Sequence, residues 1–206
     1  MFTESKRRNT TQGTRDNIIA VARRLFSEYG YLGVSMSDIA DKLNISKPAL
    51  YYHFTGKMEI YEKVLDEVLA ALKLSIAEAF NEKTSEKKLH RLIRDYLRFG
   101  FREKNLIKAL TLKLSPPDRR IRKYIIQSRE QIARSIQPLV EEVFANKNLA
   151  RIVDSKLMTS LLTGMMDGLL LEQSFFNEKI DLEKVPSQIV SVLFSQNESR
   201  ILKQEG

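Results

Sequence analysis

Catalysis has little to work with in this sequence. Its 206 residues include 2 histidines and no cysteine. No Gly-rich phosphate loop and no cluster at metal-ligand spacing is present either. An enzyme is therefore not expected, and neither is a metal or a resident cofactor. The residues that invite chemistry lie together in LNISKPALYYHF, residues 43–54, where Tyr51, Tyr52 and His53 follow Ser46, Lys47 and Pro48. Tyr51 and Tyr52 point to different sides of a helix, so both cannot lie flat in one core. Tyrosine packs its ring at a protein edge while its hydroxyl reaches outward, which suits a phosphate. His53 has two ring nitrogens able to donate to an anion, although a surface histidine closing a helix is the plain alternative. Lys57 opens the next helix, where its charge opposes the local dipole. That placement makes sense if an anion lies nearby.

The elements that must position these residues are helical. Only 8 Gly and 5 Pro punctuate the chain, and apolar residues recur with a 3.6-residue period almost throughout, which predicts an all-α protein. Residues 1–13 are polar and aperiodic and are expected to form a flexible basic arm. Ile18, Ile19, Ala22, Leu25 and Phe26 share a face over 15–29, with Gly30 as a stop. Ser35 is a natural N-cap for a helix over 36–43, with Asp38 three residues on, and Asn44 suits a left-handed end. Ser46 caps a third helix over 47–53, with Pro48 in its first turn. Ile39, Leu43, Ile45 and Leu50 are spaced to fill the wedge between these helices. Two short helices joined by Asn44-Ile45-Ser46 have the length of a helix-turn-helix, although any short helical hairpin shows the same pattern. Further helices are predicted at about 57–80, 85–102, 104–114, 118–144, 150–176 and 183–202.

LNISKPALYYHFTGKMEIYEKVL closely resembles the recognition region of the TetR family of bacterial transcriptional repressors, and RDNIIAVARRLFSEYGYLGVSMSDIADKL resembles that family's first two helices. The likeness covers residues 14–65. It implies a three-helix DNA-binding head over 14–56 joined to a larger helical effector-binding and dimerisation body over 57–206. It further implies that Lys47, Pro48, Ala49 and Tyr51 face base edges, with Ser37 and Ser46 close by. Ser35, Tyr52, His53 and Lys57 would hold phosphates. Ala49 departs from a polar reader: it offers only a contact to a thymine methyl, which leaves direct readout to Lys47. Lys6, Arg7, Arg8 and Arg15 could reach the neighbouring backbone, or simply form a solvated tail.

In the body the resemblance implies a small-molecule pocket. Its candidate lining is Phe99, Phe101, Leu110, Leu114, Tyr124, Met165 and Met166, with Asp167 as a polar handle; ordinary core is the competing account of each. One head alone buries too little surface for useful specificity, so a homodimer is expected. LLTGMMDGLLLEQSFF, with Gly164 and Gly168, and the last helix are suited to that contact, the glycines allowing a close helix crossing. Net charge is +8, concentrated in residues 83–134, where 16 Lys and Arg face 5 Asp and Glu. Arg91, Arg94, Arg98 and Arg102 form a stripe at i, i+3, i+7 and i+11. An anionic effector such as an acyl-coenzyme A, a solvated face and long-range attraction to DNA all fit it.

No run is apolar enough for a membrane span and no apolar leader is evident, so a cytoplasmic location is expected. The expected function is a ligand-responsive regulator, a repressor by resemblance. It would bind a palindromic operator in double-stranded DNA as a homodimer and be released by a small-molecule effector. The alternative is a helical protein-interaction module without sequence-specific DNA binding.

Overall fold

The computed structural model describes residues 2–103, 119–147, 154–176 and 180–194. Eight helices and no strand occur among them: α1 Phe2–Tyr29, α2 Met36–Leu43, α3 Lys47–His53, α4 Lys57–Ala79, α5 Ser85–Arg102, α6 Arg119–Lys147, α7 Ser155–Phe176 and α8 Val185–Phe194. The stretch expected to be helical at 104–114 lies outside the described residues. No helix among those described is long and apolar enough to cross a membrane.

Where the sequence predicts an aperiodic arm, α1 is already helical from Phe2. Helix propagation adds one hydrogen bond per residue once a turn exists, and Glu, Lys, Arg and Gln are good helix formers, so a polar stretch extends a packed helix without an apolar face of its own.

The chain divides into two compact units, Met1–Ala71 with Glu103–Ile125, and Leu72–Arg102 with Ile126–Gly206. The first holds the head. Ile18, Ala22 and Phe26 of α1, Ile39 and Ala40 of α2, Leu50 of α3 and Phe54 form its core, all at most 1% exposed. α4 joins this core through Ile60, Tyr61, Val64 and Leu65, and the Tyr61 ring meets Phe26 edge-on at 5.0 Å. For this reason the first unit takes in α4 as far as Ala71, past the head boundary at residue 56 expected from the sequence. Leu43 and Ile45, expected in the wedge, are only half-buried. Arg23 pairs with the buried Glu103 at 2.5 Å.

In the second unit α5 packs against α7 and α8, which also touch each other. Leu89, Leu92, Ile93 and Leu97 of α5, Ile136, Leu139 and Val140 of α6, and Leu162 and Met166 of α7 are buried. The close approach occurs at Gly100, where a Cβ would run into the Leu170 side chain. Gly164 and Gly168, expected to permit a close crossing, face open space within the chain.

Candidate nucleic-acid interface

Three caps build the head's outer face. Ser35 starts α2 with a reciprocal capping box: its Oγ accepts from the Asp38 N–H at 3.2 Å, and its own N–H donates to Asp38 Oδ2 at 2.7 Å. These hydrogen bonds from Ser35, first the backbone one, hold the Asp38 carboxyl below the usual range. Asn44 ends α2 at φ 53°, a left-handed conformation that a short polar side chain tolerates. Ser46 then caps α3 by accepting from the Ala49 N–H at 3.3 Å. The turn between the two helices is therefore set by the left-handed backbone of Asn44 and the Ser46 side-chain cap.

α3 itself is presented more than packed. Leu50 is its one fully buried residue. Lys47, Pro48, Ala49, Tyr51 and Tyr52 are exposed, the two tyrosines at 52% and 80%. A helix this short gains little from intrinsic propensity, so its position must be imposed from outside. Arg15 does so. Its guanidinium donates to the His53 carbonyl, pairs with Glu59 at 3.2 Å and lies 4.1 Å over the Phe54 ring. Glu59 in turn accepts from the Thr55 N–H at 2.7 Å and the Thr55 hydroxyl at 2.9 Å. The Thr55 backbone bond, helped by Arg15, keeps the Glu59 carboxyl below its usual range. Arg15 thus clamps α1 to the end of α3 and the start of α4, a role with no local sequence signal beyond an Arg at a helix position.

Lys57 is engaged as well. Its ammonium donates to the carbonyls of Tyr31 at 2.8 Å and Val34 at 2.7 Å and sits 4.2 Å over the Tyr31 ring. Burial pushes its pKa down, with Asp38 opposing. Beside it opens a cleft of about 440 Å³ lined by Leu32, Gly33, Val34, Ser35, Met36, Asp38, Tyr51 and Lys57. The cleft brings Ser35 and Lys57, expected on phosphates, next to Tyr51, expected on bases. Ser37 is half-buried in the same helix start, and the half-buried His53 meets Tyr52 edge-on at 5.1 Å. Ser35 has both its donors committed to Asp38. At a helix start the first amides lack a carbonyl one turn back, which leaves those of Met36 and Ser37 as the donors that the start of α2 can offer an anion.

The expected effector residues are distributed unevenly. Phe99, Met166 and Asp167 are buried, while Phe101 and Met165 are half-buried. Leu110 and Leu114 lie outside the described residues. In the first unit, the Tyr124 hydroxyl donates to Asp66 at 2.7 Å. Asp167 already has two protein partners: it accepts from the Tyr96 hydroxyl at 2.7 Å and pairs with Arg129 at 2.5 Å. Burial, then the Asp167 charge, pushes the Tyr96 phenol well above its ordinary pKa. The arginine stripe is largely paired. Arg91 meets Glu78, Glu82 and Asp95, and Arg94 and Arg98 also meet Asp95. Arg102 lies 5.1 Å over the Phe99 ring.

The sequence pattern of bacterial regulatory proteins of the tetR family matches residues 18–64. Over 49 residues the chain is 53% identical to IcaR of Staphylococcus aureus, a negative HTH-type transcriptional regulator of the biofilm operon icaADBC; the match covers 24% of this chain and 26% of that protein. The chain therefore spans about a quarter of the length of the curated relatives it matches. Among solved structures it is similar to FadR of Bacillus subtilis in complex with stearoyl-CoA, with a TM-score of 0.73 and 20% identity over 86% of this chain and 96% of that one. It is also similar to AibR in complex with isovaleryl coenzyme A and operator DNA, with a TM-score of 0.67 and 19% identity over 87% and 97%. These two likenesses show the fold, and the head shows the sequence pattern. Residues 18–64 thus carry the sequence pattern of the tetR family of bacterial regulatory proteins, and most of the chain shares its fold with FadR and AibR.

Proposed function

We propose that the chain is a ligand-responsive transcriptional regulator that binds a palindromic operator as a homodimer and leaves it when a small molecule binds. The observation that carries this reading is α3, whose exposed residues Lys47, Pro48, Ala49, Tyr51 and Tyr52 outnumber its single buried one. Lys47, Pro48, Ala49 and Tyr51 face base edges, with Ser37 and Ser46 at the groove margin. Tyr52, His53 and the start of α2 at Ser35 hold phosphates. Repression is the favoured sense, because IcaR is a negative regulator. Second copies meet through α7 and α8, where Leu157, Leu161 and Val192 are exposed and Gly164 and Gly168 leave room. The effector class is an acyl-coenzyme A, as bound in the FadR and AibR structures. The stripe's acidic partners make a phosphate-bearing ligand compete with existing ion pairs there.

The test is selection of duplexes from a randomised pool, followed by titration at several salt concentrations. The expected winner is a palindrome with half-site centres about 10 bp apart or a multiple of that. It should bind tightly with a steep salt slope and be displaced by stearoyl-CoA or isovaleryl-CoA. Failure of any sequence to be enriched overturns the DNA reading. Enrichment without release by either thioester overturns the effector class alone.

A further inference from the structure

The anion-facing start of α2 depends on a turn that is awkward to hold. Gly30 sits at φ 71°, and a Cβ at Gly33 would meet the Tyr29 carbonyl. The five residues 30–34 must therefore make a tight reversal that glycine alone permits at two positions. Such a turn has few conformational restraints of its own. What closes it lies 23 and 26 residues away in sequence: the Lys57 ammonium, which spans the carbonyls of Tyr31 and Val34. Val34 immediately precedes the Ser35 cap. The ammonium also rests on the Tyr31 ring, which leans on Tyr61 of α4 at 4.7 Å, and Tyr61 leans on Phe26 of α1. Asp38 is the acidic group that acts on the ammonium.

The geometry points to Lys57 as a positioning residue, a latch by which the first turn of α4 sets the place of the α2 N-terminus at the DNA phosphate, in place of the direct phosphate contact its sequence position suggests. Two of its three protons are spent on carbonyls, and its charge is partly desolvated, so it is poorly placed to trade those bonds for a hydrated phosphate. Because Lys57 is the first residue of α4, any shift of that turn pulls on both carbonyls and carries the α2 amides with it. The DNA consequence rests on the function proposed above; the latch itself does not.

Two readouts separate these roles. Lys57→Met keeps the aliphatic stem over Tyr31 and removes the donors. Tyr31→Leu keeps the charge and removes the ring beneath it. In the free protein, amide hydrogen exchange at Ser35 and Asp38, whose N–H groups are bonded across the α2 cap, should speed up about tenfold or more in Lys57→Met, while the amides around Ala22 and Phe26 stay protected. On the duplex selected by the wild-type protein, both variants should bind more weakly by about tenfold, with the salt slope unchanged. Exchange at Ser35 and Asp38 that stays at the wild-type rate, with a salt slope smaller by about 0.9 in Lys57→Met, overturns the latch and makes Lys57 a phosphate ligand. If no duplex is bound by any of these proteins, the DNA reading falls, and the exchange rates still decide the latch.

Discussion

At the residue scale, the head depends on a few side chains that each make more than one polar contact. Ser35 and Asp38 exchange hydrogen bonds across one turn, and neither has to be buried to matter. Ser35→Ala should cost about 1 kcal/mol of head stability, read from the urea midpoint at an unchanged m-value. Glu59 makes the pH case. Its folded pKa is depressed, chiefly by the Thr55 N–H, so its contribution is fully present above the unfolded carboxylate pKa of about 4.3 and is lost as pH falls through the folded value. Glu59→Gln should therefore flatten part of the acid limb of the stability curve while leaving its shape above about pH 6 unchanged. A curve with the same steepness below pH 4 in both proteins would remove Glu59 from the account. The Ser35 cap was readable from local sequence, because capping is a matter of three or four residues. The work of Arg15 and Lys57 was not. Each finds its partners more than twenty positions away, and an arginine in a charged leader reads as solvated until the fold sets Phe54 beneath it.

At the element scale, α2 and α3 were legible to the residue because Ser35, Asn44, Ser46 and Pro48 are all local punctuation. The start of α1 was not, since no apolar period marks a helix that only extends another. Within the chain the tight glycine contact is made by Gly100 against Leu170, while Gly164 and Gly168, four apart, face open space where the proposed second copy would cross. Periodicity shows which face is apolar without showing what will be laid on it. The candidate effector residues were hard for the same reason: Asp167, readable either as a polar handle or as ordinary core, has partners in Tyr96 and Arg129 that no local pattern announces. Within α3 the division of labour yields a clear contrast. Leu50→Ala should destabilise the head by about 2–5 kcal/mol. Tyr52→Ala, at 80% exposure, should leave thermal unfolding within about 0.5 kcal/mol of wild type and weaken binding to the selected duplex. Equal thermal losses in the two variants would mean that α3 is ordinary core.

At the scale of the whole molecule, the proposed dimer makes a demand on α7. Leu157 and Leu161 are about half exposed on one turn spacing, with Val192 of α8 exposed at 74%, and Gly164 and Gly168 continue the Leu157–Leu161 stripe. Leu161→Glu places a charge in that stripe without disturbing a buried side chain. Sedimentation should show the wild-type protein as a dimer and this variant as a folded monomer, with the selected duplex bound far more weakly. A variant that sediments as wild type would move the dimer contact elsewhere.

The near-absence of buried side chains in α3 also bears on how such a protein changes over generations. In most helices a substitution is screened first for whether the chain still folds. Here Leu50 alone answers to the core, while Lys47, Pro48, Ala49, Tyr51 and Tyr52 answer chiefly to whatever lies outside. Preference for one DNA sequence can then drift into preference for another through single steps that each leave a folded protein. A saturation library scored separately for abundance and for DNA binding should show the split directly: at those five positions most substitutions keep abundance and alter binding, and at Leu50 both are lost together.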